Sequence, residues 1–289
     1  MFVAKSMLAA FALSALFLGD KGPPSEINAS PGGKLKIVYG SPTWRDEFAS
    51  QWQSQRNWRL GSGGATTLDT AGGLIFEDAI VFPGQYNVGL VSGGSDGYQL
   101  VFHHDGINYG NGPAEAKAAL KHYDLDPKKQ AKALEIGFPK NKEGEGYVFT
   151  VRFGPNELNA AFTTAKAKTV KGKFKDTATE LTFLERADLE ALAKTAAAEQ
   201  IQVAKADAKK GKILRDVMLN AGDEPKLTFL KAGESSSLSF VKGQTRDAAK
   251  PGKTMTAAFE TSKDGSFFVI GIGPKEYVFP TSEDLMKDA

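Results

Sequence analysis

The chain has 289 residues, 41% of them hydrophobic and 24% charged, with a formal net charge of +2 and no cysteine. That length and composition suit one or two globular domains with a sizeable core. Balanced charge argues against a nucleic-acid surface, and the lack of cysteine excludes disulfides, thiolate metal sites and cysteine nucleophiles.

The N-terminus carries the pattern of an export signal. Lys5 precedes Met7 to Leu18, an apolar run interrupted only by Ser14, which has the length of a signal h-region and is short for a membrane span. Phe17 and Gly19 would occupy the two recognition positions before Asp20, and Phe17 matches the small-residue cleavage rule poorly, so 1–19 is read as a signal peptide or an uncleaved N-terminal anchor. The expected location is periplasmic or extracellular, with membrane attachment only through that segment. Gly22-Pro23-Pro24 and the Ser/Asn/Pro/Gly residues after it predict a linker over 20–33.

Lys34 to Tyr39 alternates polar and apolar residues and predicts a half-buried strand, closed by Ser41-Pro42. Trp44, Phe48 and Trp52 recur at spacings of four, which fits a short amphipathic helix or a folded loop. Their rings either cover one end of a core or stand out as a sugar-stacking platform. From Trp58 to Val91, strand-like runs at Ala65 to Leu68, Leu74 to Phe76 and Ala79 to Phe82 alternate with glycines, and Pro83-Gly84-Gln85-Tyr86 makes a turn into another strand. Gly61, Gly63 and Gly64 cannot form a phosphate loop, because a strand follows them and no Gly-Lys-Ser/Thr is present. Alternation sets Trp58 and Leu60 toward a core and Arg59 away from it, where Arg59 either pairs with a carboxylate or meets a ligand.

Tyr98 to His104 is a further strand, and His103 and Asp105 share a face if it continues. These two are the candidate acid/base residues, and Arg59, Thr66, Thr67 and His103 are the candidate ligand-binding set. No His-Glu-x-x-His, no nucleophile motif and no spaced carboxylate set accompanies them, so neither a metal site nor a cofactor is predicted. Pro113 to Tyr123 is read as a short crossing helix, with Pro113 at its start. Lys132 to Phe138, Tyr147 to Phe153, Leu158 to Thr164 and Thr179 to Leu184 then read as strands of a meander. Alanine, lysine and glutamate dominate Asp188 to Asn220, which predicts one or two helices broken at Gly211. Five strand candidates follow between Lys226 and Phe279. Tyr147 to Leu158 and Ser266 to Tyr277 echo one another, each with Gly-Pro-x-Glu between two strands, the glutamate expected to accept a backbone hydrogen bond.

Tyr39-Gly40-Ser41-Pro42, Trp58-Arg59-Leu60-Gly61 with Ala65-Thr66-Thr67, and Pro83-Gly84-Gln85-Tyr86 together resemble the bacterial family called domain of unknown function 2911. That family has a tyrosine strand ending in Ser-Pro, a Trp-Arg-Thr-Gly-Ala-Asn-Glu-Ala-Thr-Thr type motif and a Pro-Ala-Gly-Thr-Tyr turn. The likeness runs over roughly Lys34 to Leu184. Its Asn-Glu pair falls on Gly63 and Gly64, and its turn alanine is missing between Pro83 and Gly84. The resemblance implies an exported, mostly β domain without an assigned activity.

The fold class expected is therefore mainly β: an antiparallel β-sandwich or barrel-like domain over 34–186, a helical connector over 187–222, a small β unit over 223–280 and a polar tail over 281–289. The function expected is that of an exported, non-catalytic protein binding a small molecule, a glycan or an envelope-protein partner. The alternative is a hydrolase or metal-dependent enzyme built on Arg59, His103 and Asp105.

Overall fold

The computed structural model describes residues 22–49, 56–92, 97–104, 114–175, 177–186, 188–190, 201–207, 214–231 and 237–282. The expected signal segment, Trp52, Asp105 and the Gly211 break lie outside these residues. The described chain is mainly β with antiparallel pairing, and it divides into two compact units between Thr164 and Ala165.

Unit 1 contains β1 (Ser25–Ala29), β2 (Gly33–Val38), β3 (Arg56–Trp58), β4 (Thr66–Thr70), β5 (Gly73–Phe76), β6 (Ile80–Val81), β7 (Gly84–Ser92), β8 (Tyr98–His104), β9 (Ala116–Asp124), β10 (Ala131–Gly137), β11 (Tyr147–Gly154) and β12 (Asn156–Ala165). The main sheet runs β1-β2-β4-β7-β8-β9-β12-β11-β10, with β3 on β7 and β5 on β12. Period-two burial builds the core: Leu68, Tyr86, Val88, Leu90, Leu100, Phe102, Ala118, Phe149, Val151 and Leu158 face inward, each nearly inaccessible.

The two ends of this sheet approach each other through the Tyr39-Gly40-Ser41-Pro42 segment. The Thr43–Ala133 bridge, Trp44 N–H to the Lys132 carbonyl at 2.8 Å and Leu134 N–H to the Pro42 carbonyl at 3.0 Å bind the chain just past β2 to β10. Ser41 Oγ donates to the Leu134 carbonyl at 2.7 Å, and the Tyr39 hydroxyl accepts from Ile136 N–H at 3.1 Å. The sheet is thereby almost a closed barrel, which leaves few free edges.

The glycine cluster has a packing role here. A Cβ on Gly40 would run into the backbone of Ser62, and Gly61, at φ +138°, lies against the Gly40 carbonyl and Thr66 Oγ1. Two backbones approach as closely as they do because neither residue has a side chain.

Unit 2 contains β13 (Ala167–Phe174), β14 (Thr177–Leu184), β15 (Ile201–Asp207), β16 (Leu214–Asn220), β17 (Lys226–Lys231), β18 (Ser237–Lys242), β19 (Gln244–Asp247), β20 (Thr256–Ser262), β21 (Gly265–Ile272) and β22 (Lys275–Pro280). A six-stranded meander, β13 to β18, faces a four-stranded sheet in the order β19-β22-β21-β20. Phe174, Phe183, Phe229 and Phe268 fill the space between them. Ring centroids lie 5.5 Å apart for Phe174–Phe229 and 5.9 Å for Phe183–Phe268. At one seam Phe259 of β20 lies on Gly172 of β13; at the other Phe279 of β22 lies on Gly243, just after β18. An aromatic ring over a glycine lets two sheet edges come together without a Cβ between them.

Several sequence expectations need correction. The helical connector over 187–222 is not supported: β15 and β16 occupy much of it, with Ile201, Ala204, Ala206, Val217 and Leu219 buried on one face. Alanine fits either period, and the β-branched Ile201, Val203 and Val217 carried the strand signal. The crossing helix expected over Pro113 to Tyr123 is replaced, from Ala116 onward, by β9, where Ala116, Ala118 and Leu120 recur at period two. Five residues of the supposed linker, Ser25–Ala29, form β1, a hairpin partner of β2 in which Ile27 pairs with Leu35. The first domain ends at Thr164 and not at residue 186, because β13 and β14 pair into the sheet of unit 2. Thr281, placed in the polar tail, is buried and bonded to Ser266.

Candidate functional site

The sequence-predicted site residues do not gather in one place. Thr66 and Thr67 are neighbours on β4 and therefore face opposite ways. Thr66 is buried on the core side, its hydroxyl donating to the Leu60 carbonyl, so its role is to hold the glycine-rich loop against β4. Arg59 is exposed beyond the end of β3. Thr67, Asn87 and His103 do form a row, since Thr67 pairs with Asn87 across β4–β7 and Asn87 with His103 across β7–β8. Directly opposed residues share a face, here the one turned away from the core. His103 is only 4% exposed there. Among the described residues no group of three or more metal-ligating side chains converges.

A second polar group was not singled out from the sequence. Leu120, His122 and Asp124 continue the core-facing side of β9, but His122 and Asp124 lie past the end of the packed interior. On β12, Asn156 stands opposite Asp124 and Leu158 opposite His122. Tyr98 begins β8, its ring centroid 5.1 Å from that of His122. The three strands thus bring Tyr98, His122, Asn156 and Asp124 to one rim of the barrel-like sheet.

The hydrogen bonds fix the chemistry of this rim. Asn156 is 8% exposed, and its Nδ2 donates to the Phe153 carbonyl at 3.2 Å, which leaves Oδ1 as the acceptor for His122 Nε2 at 2.9 Å. Nε2 must then carry the proton, so in the neutral imidazole Nδ1 is an acceptor. Asp124 Oδ1 lies 3.7 Å from the same Nε2, on a side chain that is 89% exposed. Burial, and secondarily the Asp124 charge, hold the Tyr98 phenol above its ordinary pKa, so it remains a neutral hydroxyl.

The same end of the core carries aromatic surface. Phe153, directly opposite Asn156 in the β11–β12 hairpin, meets Trp44 edge-on at 4.8 Å and Phe48 at 5.6 Å. Trp44 and Phe48 remain half-buried and pack on the core of unit 1. The hairpin is tight: Phe153 and Asn156 flank a two-residue loop of Gly154 and Pro155, with Gly154 at φ +59° and the indole of Trp44 lying against it.

The helix expected over Pro113 to Tyr123 put Ala116, Ala119, Leu120 and Tyr123 on its apolar side and left His122 off it, on a different element from His103. Read as a strand, the spacing of Ala118, Leu120 and His122 puts the histidine on the apolar face at its end, and that was the available signal. Comparison of the chain with protein families, with curated proteins and with solved structures returns no match. The rim geometry is therefore the basis for a functional reading.

Proposed function

We propose that the protein is an exported β-sheet protein that binds a small molecule, a glycan or an envelope partner without transforming it, and that the rim of unit 1 is where it does so. The observation that carries this reading is the His122–Asn156 pair. A histidine used as a general base in covalent catalysis is paired with a hydroxyl or thiol and oriented by a carboxylate. Here its Nε2 proton is given to a neutral amide at 2.9 Å, an arrangement that sets the ring for recognition through Nδ1. The mouth of a β-barrel is a common place for such a site.

Export rests on the apolar N-terminal run and on the resemblance to an exported bacterial family. The described residues contain no helix long and apolar enough to cross a membrane. N-terminal sequencing of protein from fractionated cells tests this part: a start between about Gly19 and Glu26 in the exported fraction is expected, and intact Met1 in the cytosol overturns it.

For binding, the purified protein is screened by thermal shift against metabolites and soluble glycans, alongside chromogenic ester, phosphate and glycoside substrates and a metal-content assay. The reading expects stabilisation by a ligand that is recovered unchanged. Turnover of a substrate that is lost in His103→Ala or Arg59→Ala, or one stoichiometric metal ion, returns the enzyme alternative.

A further inference from the structure

We infer that the ligand of the unit 1 rim is an uncharged saccharide, a conclusion that rests on the binding role just proposed and names its chemistry. The rim supplies hydrogen-bond acceptors next to aromatic surface. In the neutral imidazole His122 Nδ1 is an acceptor, because Nε2–H faces Asn156 Oδ1 at 2.9 Å. Asp124, its side chain 89% exposed and its Oδ1 3.7 Å from His122 Nε2, offers a carboxylate that accepts from more than one donor. Closely spaced hydroxyls on one molecule satisfy both. A hydroxyl donated to a carboxylate makes a charge-assisted bond, stronger than its neutral counterpart.

The charge of the site selects against the other common ligands. The exposed Asp124 carboxylate repels phosphates, sulfates and carboxylates. The Asn156 amide directs its Nδ2 toward the Phe153 carbonyl at 3.2 Å. Tyr98, Trp44 and Phe48 add half-buried ring surface at the same end of the sheet, suited to the apolar C–H face of a sugar ring. Hydroxyl acceptors and aromatic faces together match a pyranose, which is polar at its edge and apolar on its faces.

The experiment uses the whole chain and two oligosaccharide panels, one neutral and one bearing uronic acid, sulfate or phosphate. Binding is read by calorimetry and by the NMR shifts of the His122 imidazole. A neutral saccharide is expected to bind, to move the His122 signals, and to lose roughly tenfold or more in affinity in Asp124→Asn and again in His122→Ala. Asp124→Asn alters an exposed side chain and keeps the fold, so its loss of binding is not a loss of structure. Three results overturn the inference: tighter binding of the anionic panel, saccharide binding indifferent to both substitutions, or no saccharide binding. If a different small molecule moves the His122 signals, the binding role stands and the saccharide assignment falls. If no ligand moves them, both fall.

Discussion

The two units apply the same local rules to different ends. Each has a Gly-Pro hairpin, Gly154-Pro155 and Gly273-Pro274, with the glycines at φ +59° and +58°. Each closes on itself where a glycine admits a neighbour. In each, the glutamate of Gly-Pro-x-Glu meets an arginine: Glu157 lies 3.2 Å from Arg152 and Glu276 lies 2.6 Å from Arg246. The units differ in where they put polarity. In unit 2 the core is ring on ring, and its buried ion pair, Lys205–Asp216 at 3.3 Å, sits on the sheet face opposite Ala204, Ala206 and Val217. In unit 1 a polar group, Tyr98, His122, Asn156 and Asp124, stands at the end of the core itself. Similar strands thus yield one unit whose interior end is chemically equipped and one whose interior holds structure.

The strongest way to break this comparison is to empty each core. Phe149 in unit 1 and Phe229 in unit 2 are fully buried. Replacement of either by alanine should cost about 3–5 kcal/mol in chemical denaturation. A cost below about 1 kcal/mol at either site would mean that the ring is not enclosed as described. Next in size is Asp216→Ala, which removes the acceptor shared by Lys205, 6% exposed, and Gln202, whose Nε2 donates at 2.7 Å. Loss of that shared acceptor should cost up to about 3–5 kcal/mol, and Asp216→Asn, which keeps an acceptor for Gln202, should cost less. Equal losses from the two variants would argue that the charge is immaterial.

The paired hairpins sharpen the comparison further. Alanine at Gly273 faces the left-handed backbone penalty of about 1–2 kcal/mol, and its Cβ would lie 2.6 Å from the Glu190 carboxyl carbon. Alanine at Gly154 carries the same penalty and also drives into the indole of Trp44, a ring packed on Phe153, which adds overpacking of about 1–3 kcal/mol. Gly154→Ala should therefore be the more damaging of the two. The double variant Gly154→Ala with Trp44→Ala should show a smaller loss than the two single changes summed. Strict additivity would remove the ring contact from the account.

These sites also show how far the sequence was legible. Period-two alternation was readable wherever large apolar residues carried it, as in β8 and β11, and there the strand assignments hold. It failed where alanine carried it. Ala116 and Ala118, and Ala204 and Ala206, suit helix and strand alike, so composition outweighed period and two regions were misassigned. The domain boundary moved with that error: once β15 and β16 are strands, β13 and β14 have partners in unit 2. The Gly40 and Gly61 approach was visible only as glycine content, because the residue each one meets is far away in sequence. Trp58 and Leu60 were expected toward the core and Arg59 away from it; Leu60 is buried, Trp58 packs against the same cluster and Arg59 is exposed. The rim eluded the sequence for a different reason. Its hydrogen-bonded pair lies 34 residues apart, and only the β9–β12 register brings His122 beside Asn156.

The smallest effect compares two tyrosines. Burial raises the pKa of both Tyr98 and Tyr277; Asp124 raises Tyr98 further, whereas Lys275 pulls Tyr277 back. An acid whose folded pKa is raised binds its proton more tightly in the folded state. Its stabilising contribution is full below the unfolded value, about 10 for tyrosine, and is lost as pH climbs through the folded value. Both tyrosines should therefore weaken the fold above about pH 10, where the unfolded chain ionises first. The neighbours separate them. Asp124→Asn should lower the Tyr98 titration midpoint, and Lys275→Ala should raise that of Tyr277, each followed by NMR or ultraviolet difference titration of single-tyrosine signals. If Asp124→Asn leaves Tyr98 where it was, the carboxylate does not act on the tyrosine ring, and the compact rim drawn from Tyr98, His122, Asn156 and Asp124 loses its charged member.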